Sequence, residues 1–98
     1  MALLICYDIS PNRLRTRIAK VLLSRGLTRV QKSVFLYSGH KRELTYTLKR
    51  LKEWIETYGD PGDKLYLIVV SPEMLRRMVM IGEQMDMRIL LGDDLIFL

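Results

Sequence analysis

The 98-residue chain is poor in residue types that define several common kinds of protein. Its one cysteine, Cys6, cannot form an internal disulfide, which is the state expected in a reducing cytoplasm. With a single histidine, His40, and no second cysteine, the sequence gives almost no support to a zinc site or to a cysteine–histidine nucleophile. The chemistry of this chain therefore has to come from other side chains.

Long apolar runs are also missing. No run approaches the roughly 20 residues that a membrane-spanning helix needs. The first eight residues lack the basic segment and cleavage site of a signal peptide. Apolar residues form 49% of the chain and charged residues 28%, which is ordinary for a globular protein. We therefore expect one domain over residues 1–98, located in the cytoplasm and without a membrane partner.

Acidic residues are almost absent from the first part of the chain. Asp8 is the only carboxylate before Glu43. The same stretch contains the cations Arg13, Arg15, Arg17, Lys20, Arg25, Arg29 and Lys32. The net charge of +5 favours an acidic partner, and nucleic acid fits better than a membrane. A lone carboxylate among cations, after an apolar strand, is typical of a metal ligand or general base beside a polyanion.

Hydrophobic periodicity predicts the first strand and helix. Residues 3–7 are almost uniformly apolar, as in a strand that is covered on both faces. Ser10 is expected to cap the following helix, with Pro11 at its first position. Gly26 is expected to end this helix in a left-handed conformation.

The middle of the chain predicts a second strand, helix and strand. Residues 28–37 are read as one strand with a bulge or break near Lys32, where strict alternation fails. The next helix should bury a stripe formed by Leu44, Leu48, Leu51, Ile55 and Tyr58. Residues 64–70 resemble residues 3–7 and predict another strand covered on both faces.

The end of the chain is rich in strand signals. Ser71 and Pro72 start a short helix, residues 77–81 look extended, and residues 85–91 are ambiguous between loop, helix and strand. Residues 95–98 form a final apolar strand, which would be an aggregation hazard as a free edge. Pairing with a second subunit removes that hazard, so we expect a two-fold homodimer. The whole pattern predicts an α+β fold with helices on one face of an antiparallel sheet.

Three segments together resemble a known family. They are Tyr7-Asp8-Ile9-Ser10, the arginine-rich residues 13–17, and residues 29–35, Arg-Val-Gln-Lys-Ser-Val-Phe. In this combination the chain is similar to the CRISPR-associated protein two family, the small partners of the CRISPR adaptation integrase, and the similarity runs over the whole length. It implies a ferredoxin-like βαββαβ sandwich with an extra C-terminal strand. It also implies a homodimer, with residues 83–98 packing across it, that assembles with the integrase to insert new spacers.

The resemblance further implies an activity and its residues. Many family members are described as metal-dependent endonucleases that act on single-stranded RNA or double-stranded DNA. The family's metal-binding aspartate corresponds to Asp8, and the neighbouring catalytic tyrosine corresponds to Tyr7. Residues linked to activity or nucleic-acid contact correspond to Arg15, Arg17, Arg29 and Phe35. RNA and DNA both remain open as substrates.

Metal chemistry at Asp8 depends on the dimer. Mg²⁺ takes about six oxygen ligands, usually with one or two carboxylates. We therefore expect Asp8 from both subunits to share one Mg²⁺ (or Mn²⁺), whose bound water is the nucleophile.

Other interpretations stay open at this stage. Asp8 could instead cap its strand or pair with an arginine, and the dimer could be a non-catalytic DNA-binding bridge within the integrase complex. An RNA-cleaving toxin-like protein of similar fold is a third interpretation. On an ideal helix Arg15 projects some 160° from Arg17, so the arginines cannot all lie on one duplex.

Overall fold

The secondary structure alternates between strands and helices in a computed structural model, which describes residues 2–82 and, for the backbone, residues 96–97. The strands are β1 (Ala2–Asp8), β2 (Thr28–Gln31), β3 (Val34–Tyr37), β4 (Lys64–Val70), β5 (Val79–Met80) and β6 (Ile96–Phe97). The helices are α1 (Asn12–Ser24), α2 (Thr45–Tyr58), which follows a 3-10 turn at Lys41–Leu44, and α3 (Pro72–Arg76). No helix in this part of the chain is long and apolar enough to cross a membrane.

The main sheet has four antiparallel strands in the order β2-β3-β1-β4. Helix α1 connects β1 to β2, and helix α2 connects β3 to β4. This is the βαββαβ arrangement of a ferredoxin-like α+β fold, so the predicted fold class is confirmed. Strand β1 lies between β3 and β4, which places its end at the centre of one end of the sheet.

A separate pair of strands follows the main sheet. Strands β5 and β6 pair in parallel within the same chain. Residues 83–95 lie outside the described residues, and the ambiguous segment 85–91 lies among them. That residues 83–98 pack across a dimer stays a prediction.

The prediction of a single strand over residues 28–37 was wrong. Strands β2 and β3 form an antiparallel hairpin, and Lys32 and Ser33 form its two-residue loop. The bulge lies before this loop, where the pairing register shifts between Arg29 and Gln31. The interruption of the apolar pattern near Lys32 is therefore a turn that reverses the chain.

One face of the sheet packs against both long helices. Strands β1 and β3 turn Leu3, Ile5, Tyr7 and Phe35 towards this face. The helical side of this core consists of Leu14, Ile18, Ala19, Leu22, Leu44 and Leu51. The predicted stripe of α2 was wrong at its end, because Tyr58 is exposed.

The described residues cover the opposite face of the sheet only in part. Leu75 of α3 and Met80 of β5 pack there against Leu36, so α3 lies on the face away from α1 and α2. Strand β4 is at the edge of the four-stranded sheet, and its Tyr66 and Ile68 are exposed. The prediction that β4 is covered on both faces was therefore wrong for the described residues.

The predicted capping of α1 by Ser10 was wrong, whereas the predicted end of this helix at Gly26 is confirmed. Ser10 does not cap α1, because the cap position is Pro11 and no side chain accepts a hydrogen bond there. The C-terminal end is as predicted. Gly26 has a φ of 86°, and the N–H of Leu27 donates to the carbonyl of Leu22 at 3.1 Å. This is a Schellman end, in which glycine takes the left-handed position without a steric cost.

Candidate metal and nucleic-acid site

The end of β1 carries the two residues predicted to be catalytic. Successive side chains of a strand point to opposite faces of its sheet. Tyr7 belongs to the core beneath the helices, so Asp8 points to the other, partly covered face. Asp8 is exposed and pairs in register with Lys64 of β4. Tyr7 and Asp8 are therefore adjacent in the chain, but their side chains lie on opposite faces of the sheet.

Tyr7 is held by packing and has its hydroxyl near the hairpin loop. Its ring stacks on Phe35 with centroids 6.1 Å apart, and its hydroxyl makes a long hydrogen bond of 3.5 Å to the carbonyl of Lys32. Burial raises the pKa of Tyr7, and the charges of Arg29 and Arg15 oppose this only in part. Tyr7 is thus a neutral phenol at neutral pH, suited to donate a hydrogen bond and unsuited to act as a base.

Arg29 is fixed over the Phe35 ring. Its guanidinium lies 5.4 Å from the Phe35 ring centroid, and its Nε and Nη2 donate to the carbonyl of Lys32 at 3.1 and 2.6 Å. Phe35 is fully buried, at 0% exposure, and its ring offers no surface to a ligand. The structure places Phe35 as a support for Arg29 and Tyr7, not as a surface contact.

Arg15 extends from α1 to the loop between β1 and α1. Its Nη1 donates to the carbonyls of Ile9 and Ser10 at 3.0 and 2.9 Å, and its Nη2 donates to Oδ1 of Asn12 at 2.9 Å. These bonds hold the guanidinium against the loop between β1 and α1.

Tyr7, Arg15 and Arg29 help to line a pocket of about 250 Å³, called the cationic pocket here. Its lining is Tyr7, Asn12, Arg15, Thr16, Ala19, Lys20, Leu23, Arg29, Lys32 and Ser33. Four of these residues are cations and none is acidic, so the pocket attracts anions. Lys20 and Lys32 were not predicted as site residues, although both lie in the acid-free stretch of the sequence.

Arg17 lies away from the cationic pocket. Its guanidinium is 4.7 Å from the ring centroid of Trp54 on α2. The predicted arginines therefore separate into Arg15 and Arg29 at the pocket and Arg17 at the contact between the helices. Asp8 is on the opposite face of the sheet from the pocket.

Asp8 is the side chain that would hold a metal ion. Among residues 2–82, the Asp8 carboxylate makes no hydrogen bond or ion pair, so the interpretation that it pairs with an arginine lacks support. An exposed carboxylate with open coordination suits Mg²⁺, which binds carboxylate oxygens and keeps several waters. The same part of the chain holds no group of three or more His, Cys, Asp or Glu side chains that could form a metal site. One protomer therefore offers one ligand, and a complete site needs more oxygens from elsewhere.

Asp63 fixes the loop that follows Asp8. Its Oδ1 accepts hydrogen bonds from the N–H and the hydroxyl of Ser10, both at 2.9 Å, and its Oδ2 accepts the N–H of Asp60 at 2.7 Å. Desolvation raises the pKa of Asp63, but these hydrogen bonds and the charge of Arg15 outweigh it and leave the pKa lowered. Asp63 thus joins the turn before β4 to the loop between β1 and α1.

This bond network predicts a dependence of stability on pH. Because the folded pKa of Asp63 lies below its unfolded value of about 3.9, its contribution is present above that pH and is lost as the pH falls through the folded pKa. We expect Asp63→Asn to flatten the curve of unfolding free energy against pH below about 4, measured by urea denaturation. Asp60→Asn is the matched control and should keep the wild-type slope. Parallel curves for wild type and Asp63→Asn would contradict the assignment.

The fold and the site define a class of small, basic ferredoxin-like proteins with a lone exposed carboxylate at the end of β1. Comparison with known proteins identifies the family within that class. The model of the family described as CRISPR associated protein Cas2 matches residues 1–78, and the chain belongs to this family. The resemblance noted in the sequence is confirmed.

Curated relatives support the same family. The CRISPR-associated endoribonuclease Cas2 1 of Methanospirillum hungatei is 31% identical over 83 residues, which are 85% of this chain and 84% of that protein. The CRISPR-associated endoribonuclease Cas2 of Aeropyrum pernix is 33% identical over 87 residues and covers 85% of this chain and 87% of its own length. That of Thermofilum pendens is 32% identical over 77 residues, covering 79% of this chain and 78% of its own length. All three are named as endoribonucleases.

A solved structure supports the fold. The crystal structure of Streptococcus pyogenes Cas2 at pH 6.5 superposes with a TM-score of 0.66 at 25% sequence identity. The match covers 84% of this chain and all of the other.

Proposed function

We propose that this protein is a metal-dependent endonuclease that hydrolyses phosphodiester bonds in RNA or DNA as a homodimer, in partnership with the CRISPR adaptation integrase. One observation carries the proposal: the exposed Asp8 carboxylate, unpaired within the described residues, ends the central strand on the partly covered face of the sheet. The endoribonuclease names of three relatives support the reaction class.

The exposed apolar residues that share a face of the sheet with Asp8 support the proposal of a dimer. Residues paired across antiparallel strands share a face, so Tyr66 and Ile68 of β4 lie beside Cys6 and Leu4 on the Asp8 face. Their exposed apolar surface and the edge of β4 suit contact with a second copy. A two-fold axis through this face would bring each protomer's residues to the same residues of its partner.

The two Asp8 carboxylates of such a dimer would hold one Mg²⁺ or Mn²⁺. A bound ion of this kind supplies an activated water and stabilises charge on the phosphoryl oxygens. The chain's own contribution is positioning: Arg15 and Arg29 hold phosphate groups in the cationic pocket, while the Phe35 ring, stacked on Tyr7, supports Arg29. Because this pocket lies on the other face from Asp8, a bound strand would pass across the loop after β1.

A second candidate function follows from the same separation. The cationic pocket contains no acidic residue and needs no metal ion to attract phosphate. The dimer could therefore act as a non-catalytic DNA-binding bridge within the integrase complex. In that function Asp8 would be dispensable, and the cations would carry the role.

Metal removal tests the hydrolytic proposal. We expect a chelator to reduce cleavage of labelled single-stranded RNA or double-stranded DNA by on the order of a thousandfold, since a bound ion contributes several kcal/mol to the reaction. Added Mg²⁺ or Mn²⁺ should restore the rate, and the affinity for the oligonucleotide should change little. Cleavage that persists in the chelator would contradict the metal role. Binding without cleavage under every condition would favour the bridge.

A further inference from the structure

A stripe of large side chains winds along α2, from the exposed Tyr46 to Trp54 and Tyr58 beside α1. It consists of Tyr46, Arg50, Trp54 and Tyr58, spaced at intervals of four residues. Each of these residues lies about 6 Å further along the helix axis than the one before and is rotated by about 40°, so successive members of the stripe are neighbours on the helix surface. Tyr46 and Tyr58 at the two ends are 67% and 58% exposed.

Guanidinium groups alternate with the rings of this stripe. Arg50 lies 6.0 Å from the ring centroid of Tyr46 and 5.1 Å from that of Trp54. Arg17 reaches across from α1 to within 4.7 Å of Trp54. We call these five residues the cation–aromatic ladder.

The ladder continues into a groove between the helices. Pro11, Arg13, Leu14, Arg17 and Tyr58 line this groove, which has a volume of about 490 Å³. Helix α1 contains no acidic residue at all. Within residues 2–82, neither Arg17 nor Arg50 forms an ion pair, so their charges are not neutralised by a neighbouring carboxylate.

Structural stabilisation explains only part of this arrangement. An exposed cation–π contact contributes about 0.5–1 kcal/mol, which accounts for the half-buried Trp54 between two arginines. It does not account for Tyr46 and Tyr58, which keep more than half of their surface in water. Exposed aromatic rings beside unneutralised cations are instead the features that bind unpaired bases and their phosphates.

We infer that the ladder binds single-stranded nucleic acid. Bases stack on the exposed rings of Tyr46 and Tyr58, and Arg13, Arg17 and Arg50 contact the phosphates. A duplex keeps its bases stacked on each other, so it gains only the phosphate contacts. This inference rests on the proposed function for the nature of the partner, and it adds a preference for single strands and a binding surface that neither Asp8 nor the cationic pocket provides.

Direct binding tests the ladder. The affinity of a labelled single strand of about 12 nucleotides would be measured by fluorescence anisotropy in the presence of a chelator, so that cleavage plays no part. Tyr46→Ala and Tyr58→Ala should each weaken binding roughly 5- to 100-fold, the range of a lost stacking contact. Tyr46→Phe and Tyr58→Phe keep the ring and should stay within about twofold of wild type. Circular dichroism checks that these surface variants are folded.

Two further controls separate stacking from charge. Arg50→Ala and Lys52→Ala remove the same charge from α2, but Lys52 lies outside the ladder, with its Nζ 3.7 Å from Glu56. Only Arg50→Ala should weaken binding by more than about threefold. A strand of the same length that lacks bases loses both stacking contacts, so it should bind wild type more weakly than the intact strand binds either alanine variant.

The inference is overturned if the base-free strand or a duplex binds wild type as tightly as the intact single strand, or if each alanine variant binds like its phenylalanine counterpart. Emission from Trp54, the sole tryptophan, gives an independent readout, because phosphates that draw Arg17 and Arg50 away change its surroundings. The outcome is separable from hydrolysis. If wild type cleaves the strand but the tyrosine variants bind it normally, only the proposal for the ladder is wrong. If the variants weaken binding as expected but wild type never cleaves, only the hydrolytic proposal is wrong.

Discussion

Asp8→Asn is expected to reduce the Mg²⁺-dependent cleavage rate by on the order of a thousandfold while leaving oligonucleotide affinity nearly unchanged. Asparagine keeps the size of the side chain but removes the charge that holds a divalent ion. The Asp8 side chain is exposed and makes no hydrogen bond or ion pair within residues 2–82, so its replacement should not unfold the protein. The cationic pocket lies on the other face of the sheet, so binding should persist.

The proposal that one ion is shared by two protomers makes a sharper prediction. Mixed dimers of wild type and Asp8→Asn, purified through two different affinity tags, should be as inactive as the pure variant. Asp60→Asn is the matched control, since it removes an equal charge from an exposed turn and should cleave normally. Mixed dimers with half of the wild-type rate would show that each protomer acts alone. Full activity of pure Asp8→Asn would remove Asp8 from the mechanism.

Much of the fold could be predicted because apolar spacing reflects burial. The strand at residues 3–7, the end of α1 at Gly26 and the start of α3 at Ser71 and Pro72 all follow from local patterns. The hairpin between β2 and β3 could not be read in the same way. Its loop residues, Lys32 and Ser33, are not the glycine and asparagine that usually mark a two-residue turn.

The candidate site was predictable as a set of residues but not as an arrangement. The family motif indicated Asp8, Tyr7, Arg15 and Arg29, and strand alternation alone separates the first two onto different faces. Other neighbours depend on tertiary structure, which local patterns do not encode. The hairpin carries Lys32 and Ser33 to α1, and the packing of α1 on α2 brings Arg17 to Trp54.

The residues proposed for binding and those proposed for cleavage therefore lie on different faces of the sheet. The helical face carries the cationic pocket and the cation–aromatic ladder, while the other face carries Asp8 and the apolar surface of β4. Variants that weaken binding and variants that abolish cleavage should consequently form two separate groups. Phe35 is an informative exception, because it belongs to the core and supports the pocket at the same time.

Phe35→Ala is expected to lower the free energy of unfolding by about 3–5 kcal/mol, because it opens a cavity beneath both helices. That is a large part of the stability of a domain near the lower end of the typical range of about 5–15 kcal/mol, so the variant should unfold at a markedly lower urea concentration than wild type. Urea denaturation followed by circular dichroism measures the loss. A loss below about 1 kcal/mol would mean that the ring is not where the structure places it.

Phe35→Leu separates the supporting role from stability. Leucine fills most of the space and should cost less than about 1.5 kcal/mol, but it offers no ring to the Arg29 guanidinium or to Tyr7. We expect oligonucleotide affinity to fall by about two- to fivefold, the worth of one cation–π contact. Leu36→Val, on the next residue of β3 and the opposite face, is the matched control: it should lose similar stability and no affinity. Equal affinities for Phe35→Leu and Leu36→Val would mean that Arg29 is held by its bonds to the Lys32 carbonyl alone.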